Sequence, residues 1–218
     1  MEIRGNLFGY YKGKLGLNYG RMVHGVNLGA AMPVKRKGMV PTEQQKDQWN
    51  RFAEMSYMAS GFLSAIRLGL KNAAKNMGPL VSEYDAFFRI NNGFYHSEGG
   101  IVEVEYGSIV LAKGPLPQVG FSAASFEEPQ RVSVAFSPNG DVPDADASDQ
   151  VYLVIYEPES RRAMLSTPVN RSAAAAEVRL PSVWSGLTVH VYGFTIGAGR
   201  HNKGMISDSS YVGAGNVG

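Results

Sequence analysis

Four aspartates in one short stretch are the residues of this 218-residue chain whose type and spacing could bind a metal ion. Carboxylates at every second or third position of a loop can wrap around calcium. The stretch lacks the glycine at the sixth position and the glutamate at the twelfth that an EF-hand loop requires. We therefore favour a solvated acidic loop between two strands, with a calcium site as the alternative. The four residues are Asp141, Asp144, Asp146 and Asp149.

The four histidines form no recognisable metal-binding or catalytic motif. No two of them have the H-E-x-x-H or H-x-H spacing that would bring both imidazoles to one ion. His190 lies between Val189 and Val191 in an alternating segment, so we expect its side chain on the solvent face of a strand. The other three are His24, His96 and His201.

Other catalytic signatures are also missing from the sequence. The chain has no cysteine, which excludes disulfides, zinc–thiolate sites and thiol nucleophiles. It has no Walker A motif and no G-x-S-x-G motif. The C-terminal segment GAGNVG formally matches G-x-G-x-x-G, but no helix follows it to receive a phosphate. We predict that the protein is not an enzyme and, apart from the calcium alternative, binds no cofactor.

The first 41 residues are rich in glycine, basic residues and aromatic residues, and they have no clear helical or strand period. Such a segment cannot build a core of its own, so we expect an extended arm that lies against a protein surface, with strand addition as the mode of binding. Stacking on single-stranded nucleic acid is the alternative, which we disfavour. The candidate interface residues are Leu7, Phe8, Tyr10, Tyr11, Lys12, Lys14, Tyr19, Arg21, Lys35, Arg36 and Lys37.

The charge of the chain is divided unevenly along its length. Residues 1–76 carry 12 Lys and Arg against 4 Asp and Glu, a net charge of +8, whereas residues 77–218 carry 9 against 15, a net charge of −6. In a head-to-tail contact, the positive part of one copy would meet the negative part of another, so no further partner would be needed. The opposite charges could equally neutralise each other within one protomer, so this alternative stays open.

Two helices with clear start signals are predicted between residues 42 and 98. Thr42 and Gln45 form a capping box, and the spacing of apolar residues from Trp49 and Phe52 onward indicates one buried stripe. Gly61 and Gly69 predict a break in the first helix. Ser82 caps a shorter helix over residues 83–91, and the dipeptide at 92–93 ends it.

From about residue 100 the hydrophobic period changes to two, which is typical of β-strands. Short alternating runs separated by Pro, Gly, Asn and Asp predict seven to nine strands. We predict a mainly β, α+β fold: an Ig-like antiparallel β-sandwich preceded by an extended Gly-rich arm and two or three helices. The predicted division is 1–41 for the arm, 42–98 for the helical segment and 99–218 for the sandwich. The predicted strands are residues 101–106, 108–112, 120–124, 131–136, 151–156, 162–166, 175–180, 188–196 and 204–207.

Four short motifs follow one another along the chain. They are G-K-x-G at residues 13–16, T-x-x-Q at 42–45, G-L-K at 69–71 and S-D-S-x-Y at 207–211. In this order they resemble an uncharacterised family with a domain of unknown function that is abundant in Bacteroidota and their phages. Many members have a Trp in the second Gly-rich repeat, where this chain has Arg21 and Met22 nearby. The resemblance implies a structural protein, and it implies no catalytic residues for this chain because the family has none established.

These observations together predict a structural subunit that forms a homo-oligomer or polymer, with other structural proteins of the same particle as further partners. The C-terminal residues 211–218 could add a strand or clasp to a neighbouring copy, as the arm does. The alternative function is a carbohydrate- or protein-binding Ig-like module, with Tyr106, Trp184 and Tyr192 as its exposed aromatics, although Trp184 could equally fill the core.

The location of such a subunit is predicted from two features that the sequence lacks, a membrane-spanning segment and a signal peptide. No window approaches 18 consecutive apolar residues, so no membrane insertion is expected. The N-terminal sequence MEIRGNLFGYY has no basic region followed by an apolar region, so no Sec signal peptide is predicted. We expect a virion component, or another particle assembled inside the cell, with an extracellular surface filament as the alternative.

Overall fold

The computed structural model describes residues 12–23, 25–32, 38, 40–127 and 129–218. The described helices are α1 (Glu43–Gly61), α2 (Leu63–Gly69), α3 (Lys71–Met77) and α4 (Glu83–Asn91). The described strands are β1 (Gly13–Leu15), β2 (Asn18–Val23), β3 (Val26–Ala31), β4 (Tyr95–Glu98), β5 (Ile101–Val104), β6 (Gly120–Phe121), β7 (Ser125–Glu127), β8 (Arg131–Ser137), β9 (Gln150–Glu157), β10 (Arg162–Leu165), β11 (Val169–Asn170), β12 (Ala175–Arg179), β13 (Thr188–Ile196) and β14 (Ser210–Asn216).

Two antiparallel sheets form the body of the molecule. The first has the order β10-β9-β13-β14, with β11 also paired to β9. The second has the order β12-β8-β6, with β7 also paired to β8. Their inner faces share one hydrophobic cluster, which contains Val132, Val134 and Phe136 of β8. The mainly β, α+β class and its antiparallel sandwich are therefore confirmed.

Strand β9 is buried on both faces and makes the molecule three layers deep. Val151, Leu153 and Ile155 face the second sheet, whereas Val154 and Tyr156 face the helices. A strand buried on both faces needs a continuous apolar run instead of an alternating one, which is what the sequence VYLVIY supplies. Val189 and Val191 of β13 share the cluster between the sheets with these odd-numbered residues of β9.

The helices start as predicted and cover the outer face of the first sheet. The Thr42 side chain accepts a hydrogen bond from the Gln45 amide, and the Gln45 side chain accepts one from the Thr42 amide. Ser82 and Asp85 form the same reciprocal pair at α4. Residues of α1 and α2 share a cluster with β9 and β13, so the segment 42–98 and the sandwich have a common core.

The glycine breaks produce three helices where two were predicted. A Cβ at Gly61 would lie 2.5 Å from the carbonyl oxygen of Arg161, and a Cβ at Gly69 would lie 2.7 Å from the Cβ of Ala112. Only glycine allows the chain to approach so closely at these two positions. The apolar stripe of α1 was predicted to be buried from Trp49 onward. Its first two members are not buried, because Trp49 and Phe52 are each 60% exposed.

Two predicted strands are absent, and several strands after residue 90 were not predicted, namely β4, β7, β11 and β14. Residues 108–112 are an irregular buried segment after a 3₁₀ turn, and residues 204–207 form a turn with isolated bridges. The C-terminal segment, which we expected to reach a neighbouring copy, pairs with β13 of its own chain as β14. A Cβ at Gly215 would collide with the ring of Phe126, so this glycine of the G-x-G-x-x-G match allows close packing between the sheets.

Candidate association surface

Within the arm, the described residues form a small antiparallel meander instead of an unpaired extended chain. Strand β2 pairs with β1 on one side and with β3 on the other. Gly16 and Gly25 lie at the two turns with φ of +61° and +81°, a conformation that favours glycine. The glycines of the arm therefore specify hairpin turns, and its extended backbone pairs with itself.

One face of this meander carries positive charge around an aromatic ring. Lys14 lies opposite Tyr19 in the register, and Arg21 follows Tyr19 by two positions on the same strand. Side chains of a strand alternate between faces, and directly paired residues share a face. Lys14, Tyr19 and Arg21 thus lie on one face, which we call the cationic face, and all three are exposed. Lys12, just before β1, is exposed as well.

The described part of the meander also exposes apolar side chains and is absent from the core. Leu17 is 84% exposed and Met22 is 44% exposed. No described residue before Met55 belongs to either hydrophobic cluster. A small sheet normally needs a hydrophobic layer against one face for its stability. Among the described residues, the two cores do not supply that layer to β1–β3.

The structure describes four of the eleven predicted interface residues. Lys12, Lys14, Tyr19 and Arg21 are brought together on or beside β1 and β2. The other seven lie outside the described residues: Leu7, Phe8, Tyr10, Tyr11, Lys35, Arg36 and Lys37.

A second exposed surface is an acidic hairpin that the sequence analysis did not single out. Strands β4 and β5 pair with His96 opposite Glu103 and Glu98 opposite Ile101. These four side chains are exposed on the outer side of the hairpin, whereas Tyr95 is buried beneath it. We call His96, Glu98, Ile101, Glu103 and the adjoining Glu105 the acidic face. The alternating acidic and apolar sequence of β5 was the available signal.

The acidic face is fixed in place by side-chain contacts. His96 Nε2 and Glu105 Oε1 are 2.8 Å apart. On the inner side, Asp47 of α1 accepts a hydrogen bond of 2.9 Å from the amide of Gly100 at the hairpin turn. The hairpin is therefore attached to the start of α1 and presents a defined surface.

A third exposed surface is aromatic. The ring of Phe88 lies 5.0 Å from that of Phe52 and 5.0 Å from that of Tyr84, measured between centroids. Trp49 lies one turn before Phe52 on α1 and is also exposed. We call these four residues the aromatic patch. Trp49 and Phe52 were predicted to lie in the core because they continue the three- and four-residue spacing of the apolar residues that follow them.

His190 was expected to face solvent, and this expectation is wrong. Its ring stacks on Tyr106 with centroids 4.1 Å apart, and its Nδ1 lies 2.9 Å from the hydroxyl of Tyr211. Burial lowers the pKa of His190 below its ordinary value, because the charged imidazolium loses contact with water. The register shift of β13 at Val191 and the unpredicted strand β14 bring these rings together.

The aromatics proposed for carbohydrate binding are largely internal. Tyr192 is fully buried and its hydroxyl donates a 2.8 Å hydrogen bond to the carbonyl of Tyr106. Trp184 is buried in the cluster between the sheets, as the core-filling alternative predicted. Of the three candidates only Tyr106 is half-buried. The sandwich therefore does not present the aromatic platform on which that alternative depended.

The four aspartates do not converge as calcium ligands. Asp141 and Asp144 are exposed. Asp146 accepts two hydrogen bonds from Ser148, which lower the pKa of its carboxyl group. Asp149 is buried and paired with buried Arg171 at 3.1 Å. No group of three His, Asp or Glu side chains that could hold a metal ion occurs within the described ranges.

The helices give no sign of membrane insertion. In the part of the chain that the structure describes, none combines the length and the apolar character needed to cross a bilayer.

Comparison with known proteins identifies the family of this chain. A family of unknown function, DUF6266, matches residues 11–213, which is almost the whole sequence. The chain belongs to this family. A search of curated proteins finds no match.

Proposed function

We propose that this member of DUF6266 is a non-enzymatic structural subunit that assembles with copies of itself through the meander β1–β3. One observation carries the proposal: the meander exposes Leu17, Tyr19 and Met22 and contributes no described residue to either hydrophobic core. A surface of this kind on an ordered sheet is typical of a protein contact.

Covering this surface would favour association. Burying Leu17 against a neighbour would contribute roughly 1.5–3 kcal/mol, and Met22, which is 44% exposed, would contribute roughly half as much. Strand addition at an edge of the meander would add main-chain hydrogen bonds and fix the register. Apolar burial and hydrogen bonding must together offset the rotational and translational freedom that each copy loses on association. In a polymer, several contacts acting together help to offset this loss.

Protein is a better partner for this surface than nucleic acid. Proteins that bind single strands stack successive bases on several aromatic rings along a basic groove. Among the described residues of the meander, Tyr19 is the one aromatic, and the exposed Leu17 and Met22 suit an apolar protein surface. Other structural proteins of the same particle are the further partners that this role implies.

The proposed setting is a virion or a surface filament. The motif order given above, which resembles proteins of Bacteroidota and their phages, supports an origin in that group and a role in such an assembly. The proposal includes no catalytic step and no cofactor.

Deletion of residues 2–32 tests the proposal. We expect the full chain to form oligomers or polymers in light scattering and electron microscopy. We expect the shortened chain to remain monomeric with an unchanged circular dichroism signal for α1–α4 and the sandwich, because the described residues of the deleted segment belong to neither core. Assembly by the shortened chain, or a full chain that stays monomeric at high concentration, would contradict the proposal.

A point-variant pair gives a sharper version of the same test. The double variant Leu17→Ser with Met22→Ser should reduce association while leaving the free energy of unfolding of the body nearly unchanged. Val183→Ser is the matched control, because Val183 is 76% exposed and lies in a 3₁₀ turn of the sandwich. Equal effects of the control and the double variant would show that the loss of association is not specific to the meander.

The alternative, a protein-binding module, is favoured by the aromatic patch. Aromatic residues are enriched at the energetic centres of protein interfaces. If the double variant Trp49→Ala with Phe52→Ala abolishes association and the Leu17 and Met22 variant does not, the patch and not the meander is the contact surface.

A further inference from the structure

We infer that the acidic face of the hairpin β4–β5 is the surface on which the cationic face of a neighbouring copy docks. This inference rests on the proposed self-association through the meander and names the other half of the contact. It follows from the charges and the exposure of the two faces.

The acidic face has the composition of a receiving surface for a basic sheet. Glu98, Glu103 and Glu105 are exposed beside one another, with His96 next to Glu105. Ile101, which is 71% exposed, lies among them and offers an apolar contact. A shallow depression of about 310 Å³ is lined by His96, Glu98, Ile101 and Glu103.

The cationic face presents the complementary pattern. Lys14 and Arg21 flank Tyr19, so two positive charges lie on either side of one aromatic ring on the same strand face. Lys and Arg can pair with the glutamates while Tyr19 packs on Ile101, a combination of charged rim and apolar centre that is typical of protein interfaces. Arg can also hold a carboxylate through two parallel hydrogen bonds.

The two faces do not neutralise each other within one chain. Lys14, Arg21, Glu98 and Glu103 are all exposed, and none of the ion pairs among the described residues joins the meander to the hairpin. Both sets of charges are therefore free to act on another copy. Complementary charge at a contact speeds encounter and fixes its orientation.

The geometry of assembly follows from the use of two different faces. A contact between unlike surfaces of identical chains is heterologous, and it propagates from copy to copy. It closes into a ring if the rotation between neighbours permits, and otherwise it gives an open filament. A dimer with two-fold symmetry, in which one surface meets itself, is not the expected product.

Charge reversal on each face, followed by mixing, tests the inference. The double variants Lys14→Glu with Arg21→Glu and Glu98→Lys with Glu103→Lys should each lose association by about tenfold or more in sedimentation analysis, because like charges then face each other. When the two variants are mixed, every acidic face meets a basic one, so an alternating one-to-one assembly should form. The matched control for the glutamate variant is Asp141→Lys with Glu159→Lys, which raises the net charge by the same amount at two exposed positions elsewhere.

The outcomes separate this inference from the proposed function. Recovery of assembly on mixing supports the acidic face as the docking surface. Normal assembly by the Glu98 and Glu103 variant, an equal loss in the control, or no recovery on mixing would overturn it. If at the same time the Leu17 and Met22 variant remains monomeric, the proposed function stands and the receiving surface lies elsewhere.

Discussion

At the scale of the residue, the most consequential interaction that the structure adds is the buried ion pair of Arg171 and Asp149. Neither side chain is exposed. The Arg171 guanidinium also donates to the carbonyls of Pro138 and Pro117, and Asp149 also accepts from the Asn202 amide group and the amide of Ala198. The pair therefore supplies hydrogen-bond partners to four polar groups from three other segments of the chain.

Removal of one partner should destabilise the protein strongly. Asp149→Ala leaves a buried guanidinium without its counter-charge, so we expect a loss of about 3–5 kcal/mol in the free energy of unfolding measured with urea. Glu177→Ala is the control: it breaks the Arg131–Glu177 pair, whose side chains are 45% and 56% exposed, and should cost at most about 1 kcal/mol. Similar losses for the two variants would contradict a structural role for the buried pair.

His190 should make the stability of the protein fall under mildly acidic conditions. Its pKa is lowered by burial from 6.5, so the unfolded chain takes up a proton at a higher pH than the folded chain. The free energy of unfolding should decrease as the pH falls through 6.5 and should level off below the folded pKa. His190→Phe, which can keep the stack on Tyr106, should remove this part of the decrease.

The pH experiment is a urea titration of both proteins from neutral to mildly acidic pH. His201→Gln, at an exposed turn, controls for the loss of one imidazole. A wild-type slope that persists unchanged in His190→Phe would show that other groups cause it.

At the scale of the element, close approaches between backbones determine where the helices end. We expect Gly69→Ala to lower the free energy of unfolding by about 1–3 kcal/mol, even though alanine favours a helix, because the new Cβ would collide with the carbonyl of Leu111. Gly93→Ala has open space around its Cβ and should be neutral or slightly stabilising. Thermal unfolding measures the stability of both variants against the wild type. If Gly69→Ala does not change the stability, the segment at 111–112 can move aside to make room for the new Cβ.

The elements that the sequence predicted well are those with local signals. The capping residues Thr42 and Ser82 specify two helix starts through contacts three positions away, and the strand at 188–196 follows from its own composition. The burial of β9 on both faces and the pairing of β14 with β13 depend on distant segments, so no local period encodes them.

The candidate site was predictable only in part for the same reason. Basic and aromatic residues marked the arm as a surface for association. The exposure of Trp49 and the acidic face of β4–β5 depend on which side the core occupies, and that is decided by packing between distant elements.

At the scale of the whole molecule, the charge division predicts how association should respond to salt. The first 76 residues carry a net +8 and the remainder −6. Raising the ionic strength from about 0.05 to about 1 M shortens the Debye length several-fold, so association should weaken while the free energy of unfolding changes little, because both cores are apolar. Analytical ultracentrifugation and urea titrations at each salt concentration measure the two quantities. Association that strengthens with salt would mean that Leu17 and Met22, and not the charges, dominate the contact.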